Sequence, residues 1–112
     1  MLQARKLNDD IAVAGQIEAD DVAEIARAGF RTIICNRPDG EAPDQPEWSE
    51  IAAAARAAGV EFRYIPVTHA GMTQENVDAT REALASAPKP LFAYCRSGAR
   101  SANLYSFASS SG

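Results

Sequence analysis

The chain is poor in the residues that disulfide-rich and metal-binding proteins depend on. It has two cysteines, Cys35 and Cys95, and one histidine, His69, among 112 residues. Two cysteines are too few for a disulfide framework, and one histidine with two distant cysteines forms no recognisable metal motif. We therefore expect reduced thiols, no bound metal and no cofactor.

Long apolar runs and an excess of positive charge are also missing. No segment approaches the roughly 20 apolar residues that a membrane-spanning helix needs, and the first residues, MLQARKLNDDIAVAG, lack the apolar core of a signal peptide. The formal net charge is −4, which argues against nucleic acid or an anionic membrane as a partner. We expect a cytoplasmic protein, in which a local basic pocket remains possible.

Strand and helix patterns alternate along the chain. Apolar or alternating segments predict strands at 11–14, 32–35, 61–67 and 91–94, and helices are predicted to begin near 21, 44, 73 and 100. This order predicts a three-layer α/β sandwich with a mostly parallel sheet of four to five strands, in one domain over residues 1–112. The final predicted helix has two to three turns, which fits either a C-terminally shortened domain or a compact natural one.

The segment LFAYCRSGARS, residues 91–101, carries the strongest indication of chemistry. A buried strand ends at Cys95, and a short loop leads into the next helix. The backbone N–H groups of residues 96–100 can form an anion-binding nest there, reinforced by the helix N-terminus. Such surroundings stabilise a thiolate, and the planar fork of Arg100 can bind two oxygens of a tetrahedral anion.

The other members of this loop have separate predicted roles. Gly98 permits the tight bend, Ser101 can donate its hydroxyl to the thiolate, and Arg96 points outward, where it can steer substrates. We predict Cys95, Arg100 and Ser101 as catalytic residues, and the loop backbone as the anion-binding element, namely Arg96, Ser97, Gly98 and Ala99. Although an isolated cysteine is usually a core residue, the agreement of these loop residues favours catalysis.

The same segments resemble known families. CRSGARS is similar to the active-site loop of rhodanese sulfurtransferases, with four residues between cysteine and arginine. The rest of the chain, GFRTIICNRPDGE, EFRYIPVT and KPLFAYCRSGARS, resembles a dual-specificity or protein-tyrosine-phosphatase-like domain. TIICNRPD with YCRSGARS most resembles the phosphatase-like domain of bacterial β-lactamase-hydrolase-like proteins. That family occurs alone or fused to sulfur enzymes, which implies a sulfur-metabolism enzyme as a partner.

Three departures from the tyrosine-phosphatase pattern bear on function. The loop is one residue shorter, Tyr94 replaces a histidine, and the stretch PVTHAGM lacks the aspartate that serves as general acid. A narrower cradle and a missing proton donor disfavour phosphoryl transfer, whereas sulfane-sulfur transfer needs neither feature to the same degree. We therefore predict a sulfurtransferase acting on thiosulfate or persulfides through a Cys95 persulfide.

Two alternatives remain open at this stage. The chain can instead be a cysteine-dependent phosphatase that hydrolyses phosphomonoesters through phosphocysteine, or a non-catalytic anion-binding module. His69, Asp39 and Glu41 are candidates for the acid of a phosphatase, and Arg37 for a basic residue at the rim. Cys35 is most simply a core cysteine, with a second possibility that it is a resolving thiol for Cys95.

Overall fold

The computed structural model describes residues 3–110 as a five-stranded sheet with helices on both faces. The elements follow the chain in the order β1 (Ala4–Asn8), β2 (Ile11–Ala14), α1 (Asp21–Arg27), β3 (Thr32–Cys35), α2 (Trp48–Ala57), β4 (Glu61–Tyr64), α3 (Gln74–Ser86), β5 (Leu91–Tyr94) and α4 (Ala99–Ser110). The sheet order is β1-β2-β5-β3-β4, and only the β1–β2 pair is antiparallel within these residues. The predicted α/β sandwich is confirmed.

Two apolar clusters hold the three layers together. The buried Val22 of α1 and Ile51 of α2 pack with Phe92 on one face of the sheet, whereas Val77 of α3 and Leu104 of α4 pack with β2 and β5 on the other. All four residues of β2, β3 and β5 are buried. Their uninterrupted apolar sequences follow from this, because central parallel strands are covered on both faces.

β1 is the element that the apolar pattern did not predict. Four of its five residues are exposed, because it lies at the sheet edge and pairs only with β2. The connection to β2 is a tight turn in which the Asp10 N–H donates to Asn8 Oδ1 over 2.7 Å. This Asn-Asp-Asp turn was the available signal, since Asn and Asp side chains stabilise turns by bonding to nearby backbone.

Two predicted boundaries differ from the structure. The second helix begins at Trp48 rather than near Asp44, and its first N–H is bound by the Asp39 carboxylate at 2.8 Å. β4 ends at Tyr64 rather than Val67, just before Pro66, which has no N–H to donate. The third helix begins after Thr73 as predicted, with a capping box that Thr73 and Asn76 form.

The order of the strands determines where loops meet. β5 lies between β2 and β3 and is parallel to both, so their carboxyl ends meet at one edge. Ligands of parallel sheets bind beyond that edge. Within residues 3–110, the structure has no helix that is long and apolar enough to span a membrane.

Candidate active site

Cys95 follows directly after β5 and lies at the bottom of the loop that leads into α4. It is fully buried, and its N–H donates to the carbonyl of Ala14 at 3.2 Å, which continues the β2–β5 pairing. Gly98 turns the loop with a φ of 93°, a left-handed conformation that favours glycine. As a result, the Gly98 N–H points back and donates to Cys95 Sγ at 3.1 Å.

The surroundings of Cys95 favour its thiolate. Burial by itself would raise the pKa of Cys95, but the polar groups of Ser101, Ser97 and Gly98 around it outweigh that effect. The net effect lowers the pKa below that of an ordinary thiol. The anion nest stays a prediction, of which the Gly98 N–H is the part seen at sulfur. A low-pKa thiolate is suited to nucleophilic attack.

The loop packs closely against the end of β2. A Cβ atom on Gly15 would lie 3.0 Å from the carbonyl oxygen of Arg96, and one on Gly98 would lie 3.5 Å from the carbonyl of Ala14. Glycine at both positions thus lets two backbone segments approach each other. This contact fixes the height of the loop above the sheet.

Arg100 is held by a carboxylate that comes from the loop after β3. Its Nη1 donates to Glu41 Oε2 at 2.9 Å and to the carbonyl of Val67 at 2.9 Å, and its Nη2 donates to Glu41 Oε1 at 2.8 Å. An arginine has five N–H donors, so three are used by these bonds. Among the contacts of residues 3–110, the Nε proton and the second Nη2 proton are not used.

Arg37 also donates to the Glu41 carboxylate. Its Nε donates to Glu41 Oε1 at 3.0 Å, and its Nη1 donates to Gln16 Oε1 at 3.1 Å. The side chains of Arg37 and Glu41 are only 7% and 8% exposed. Arg37 is thus paired with a carboxylate and buried, so it is not the residue at the rim of the site that the sequence offered as a candidate.

The two arginines fix the charge of Glu41. The pKa of its carboxyl is lowered chiefly by the hydrogen bonds from Arg100, with a further contribution from Arg37, despite the opposing effect of burial. Glu41 is therefore ionised at neutral pH and is a poor proton donor. It serves to orient Arg100, because the bidentate pairing fixes the plane of the guanidinium.

Ser101 links the Cys95 loop to the end of β3. Its hydroxyl donates to Asn36 Oδ1 at 2.8 Å, and the Asn36 amide nitrogen donates to the carbonyl of Ile65 at 2.8 Å. Both Ser101 and Asn36 are 2% exposed. The sequence analysis placed Ser101 in the site but overlooked Asn36 and Gln16, whose signal was their position just after the strands β3 and β2.

The other residues predicted for the site have different surroundings. Asp39 caps α2 through the Trp48 N–H, so its carboxylate is engaged away from the loop. The side chain of His69 is 85% exposed, and its Nε2 lies 3.8 Å from Glu41 Oε2, at the mouth of the site. The loop residues Arg96, Ser97 and Ala99 are exposed, and the Ala99 N–H donates to Ser97 Oγ at 3.4 Å, so their anion-binding role stays a prediction.

Cys35 lies in the cluster that packs under α1 and α2. Its thiol donates to the carbonyl of Arg37 at 3.2 Å, and burial raises its pKa despite a hydrogen bond from the side chain of Tyr94. Both cysteines are free. These contacts are those of a core cysteine, and the resolving role stays a prediction. Within residues 3–110, no three Cys, His, Asp or Glu side chains are grouped so as to hold a metal ion.

Comparisons with known proteins agree with this geometry. The family described as "Beta-lactamase hydrolase-like protein, phosphatase-like domain" matches residues 3–111. A beta-lactamase hydrolase-like protein of Agrobacterium fabrum is 36% identical over 104 residues, which are 93% of this chain and 24% of that protein. The chain thus spans about a quarter of the length of this curated relative.

Solved structures place the fold among phosphatases. A crystal structure of a candidate phosphatase from Neisseria meningitidis has a TM-score of 0.82 and 36% identity, covering 90% of this chain and 72% of that chain. The catalytic core of the PP-IP phosphatase Siw14 from S. cerevisiae has a TM-score of 0.63 at 11% identity, covering 97% and 77%, and so shares the fold alone.

These findings bear on the predictions in two ways. The protein-tyrosine-phosphatase-like fold is confirmed, and the names of the relatives favour the phosphatase alternative over the sulfurtransferase. The family match extends over nearly the whole chain. The chain therefore belongs to the family of phosphatase-like domains found in beta-lactamase hydrolase-like proteins.

Proposed function

We propose that this domain is a cysteine-dependent group-transfer enzyme, and that the group it transfers is a sulfane sulfur. In the first step the Cys95 thiolate attacks the outer sulfur of thiosulfate, the S–S bond of thiosulfate breaks, and sulfite leaves with the bonding electron pair. Cys95 becomes a persulfide anion. In the second step an acceptor thiolate attacks the terminal sulfur, and Cys95 leaves again as a thiolate. Charge balances in both steps without a proton donor.

The state of Glu41 is the observation that supports this choice. It is the carboxylate beside the catalytic loop, and two arginines keep its pKa low. Asp39 is engaged as a helix cap. A phosphatase usually needs an acid to protonate its leaving alkoxide or phenoxide, whereas sulfite and thiolates leave as anions. The chemistry that needs no acid therefore suits the described residues best.

Binding of the anion is supported by the donors left on the loop. The open edge of the Arg100 fork offers Nε and one Nη2 proton, and the Gly98 N–H donates to Sγ. These groups can hold the sulfonate oxygens of thiosulfate and then the persulfide anion. The partners that we propose are a small anionic donor, which is thiosulfate or a persulfide, and an acceptor enzyme of sulfur metabolism. A reduced thiol is required, as expected in the cytoplasm.

Hydrolysis of phosphomonoesters is the second candidate function, because the family and its structural neighbours carry phosphatase names. In that case the Cys95 thiolate would attack phosphorus, and the alcohol would leave with a proton. Water would then release phosphate and restore the thiolate. His69 is the nearest titratable side chain at the mouth of the site, 3.8 Å from Glu41, and would be the proton donor.

One experiment separates these functions. The intact mass of the protein is measured after incubation with thiosulfate, beside a Cys95→Ser variant, and phosphate release from an aryl phosphate is measured in parallel. Gain of one sulfur on Cys95, absent from the variant and removed by cyanide as thiocyanate, is the expected result. Cys95-dependent phosphate release without sulfur gain would establish the phosphatase instead. Failure of both, with retained sulfate binding, would identify an anion-binding module.

A further inference from the structure

The hydroxyl of Ser101 lies between two buried hydrogen-bonding partners and can serve only one of them at a time. It donates to Asn36 Oδ1 at 2.8 Å, and it also belongs to the polar surroundings that lower the pKa of the buried Cys95. A serine hydroxyl has a single proton. We propose that Asn36 is a positioning residue that competes with Cys95 for the Ser101 proton, and thereby controls how well Cys95 accepts and releases negative charge.

The orientation of the Asn36 side chain makes it an acceptor toward Ser101. Its nitrogen donates to the carbonyl of Ile65 at 2.8 Å, and a carbonyl can only accept. The opposite end of the amide, which faces Ser101, must then be the oxygen. The backbone of Asn36 is also bound, with its N–H donating to Tyr94 and its carbonyl accepting from Val67. The amide is therefore held in one place and cannot turn its nitrogen toward Ser101.

The competition follows from the charge on sulfur. A neutral or substituted Sγ is a weak acceptor, so the Ser101 proton stays with Asn36. A thiolate is a charged acceptor and attracts the proton more strongly. When the proton turns to Cys95, the oxygen of Asn36 loses its partner in a site that is 2% exposed. Ionisation of Cys95 is thus opposed by the loss of the Ser101–Asn36 bond.

The consequence for a reaction cycle rests on the proposed role of Cys95 as nucleophile. The Ser101 proton would turn toward Asn36 when Sγ forms its bond to the transferred group, and back toward Sγ when the thiolate leaves. No proton is gained or lost, because the hydroxyl only rotates. Asn36 would keep the thiolate from being held too strongly, which preserves its nucleophilicity in the first step.

Several charged or titratable groups also act on Sγ and must be kept constant in a test. Arg100 on α4 and Cys35 on β3 interact electrostatically with Cys95, and Glu41 acts through its pairing with Arg100. The N–H groups of Ser97 and Gly98 complete the set. Substitution of Asn36 by an uncharged residue alters none of these charges, so a change in Cys95 acidity would be due to the hydroxyl.

The test measures the acidity of Cys95 without any substrate. The rate of iodoacetamide alkylation is followed against pH by mass spectrometry of tryptic peptides, in which Arg56 and Arg81 separate Cys35 from Cys95. We expect Asn36→Leu to lower the midpoint for Cys95 by about one pH unit, since one buried hydrogen bond no longer opposes ionisation. Asn36→Asp keeps an acceptor for Ser101 and should leave the midpoint unchanged or raise it.

Double substitution shows whether the effect passes through Ser101. Ser101→Ala should raise the midpoint, and Asn36→Leu should have no further effect in the Ser101→Ala background. Thr32→Val is the matched control: Thr32 is fully buried in β3, the strand that Asn36 follows, and its hydroxyl donates to the Pro88 carbonyl at 2.7 Å. It should leave the midpoint where it is.

Three results would overturn the proposal. The first is an unchanged alkylation midpoint of Cys95 in Asn36→Leu, and the second is an equal fall of the midpoint when Asn36→Leu is made in the Ser101→Ala background. The third is a lower midpoint in Asn36→Asp, a variant that can be measured even if Asn36→Leu does not fold. Sulfur loading is measured separately. A chain that shows the expected shifts but gains no sulfur would refute the proposed function while leaving the role of Asn36 intact.

Discussion

Replacement of Glu41 by glutamine tests the arrangement of the two arginines most directly. The side chain keeps its shape but loses the charge that Arg37 and Arg100 share, and it lies in a site where Glu41 is only 8% exposed. Removal of one partner from a buried ion pair costs about 3–5 kcal/mol. Because the side chain of Arg100 is 24% exposed and water can reach it, the lower end, about 3 kcal/mol, applies here.

Urea unfolding followed by fluorescence is a suitable assay. Trp48 is the only tryptophan, and it stacks on Tyr64 with ring centroids 4.8 Å apart, so its emission reports on the fold. A loss of about 3 kcal/mol corresponds to a melting temperature lower by roughly 12 °C or more. Asp44→Asn is the control, because it removes one negative charge from an exposed position of the same loop.

The contribution of Glu41 to the free energy of unfolding should decrease at low pH. The pKa of Glu41 is lower in the folded chain than in the unfolded one, so the unfolded state binds more protons over that interval. Its stabilising contribution is complete above the unfolded value of about 4.3 and is lost as the pH falls through the folded value. The stabilities of wild type and Glu41→Gln should therefore approach each other as the pH falls below about 4.3. Equal stability of the two at pH 7, or a difference no larger than that of Asp44→Asn, would refute the reasoning.

Three further predictions concern the loop itself. Arg100→Lys should lower kcat/KM at least about 100-fold for whichever substrate is turned over, since a lysine lacks the planar fork. Arg96→Lys is the control and should change kcat/KM little, because Arg96 is exposed. Similar losses in both variants would contradict the role of Arg100. Gly98→Ala and Gly40→Ala should each destabilise the fold by about 1–2 kcal/mol, because both φ angles are positive. Only Gly98→Ala should raise the alkylation midpoint of Cys95, and an unchanged midpoint would show that the Gly98 N–H does not stabilise the thiolate. In the wild type, the midpoint for alkylation of Cys95 should lie below the ordinary thiol pKa. Cys35, which is equally buried but has a raised pKa, should react more slowly at that pH, and the reverse order of reactivity would identify the wrong nucleophile.

The sequence predicted the parts of the fold that depend on local patterns. Runs of β-branched or apolar residues predict the buried strands Thr32–Cys35 and Leu91–Tyr94. The side chain of Thr73 predicts the start of α3, because threonine is a common helix cap. β1 has no such pattern, because an exposed edge strand buries little apolar surface. The start of α2 depends on Asp39, nine residues upstream, which no local pattern around Trp48 reveals.

The candidate site likewise has a part that local sequence patterns predicted and a part that they did not. The Cys95 loop is a single contiguous segment, so its thiol, glycine and arginine were visible together. The partners that set their chemistry come from elsewhere: Glu41 reaches Arg100 across 59 positions, and Asn36 reaches Ser101 across 65. Such pairs become apparent only when parallel strands bring their carboxyl ends to one edge.

The position of β5 has a consequence for the newly made chain. It is the last strand in sequence within the described residues, yet it occupies the middle of the sheet between β2 and β3. Until it is inserted, β2 and β3 have no neighbour to join them, and pairings between segments so far apart in sequence form slowly. The Cys95 loop begins where β5 ends, and the groups that lower the pKa of its thiol belong to that loop and to the first turn of α4. The acidity of Cys95 therefore requires β5 and α4 to be in place, so it arises at a late stage of folding.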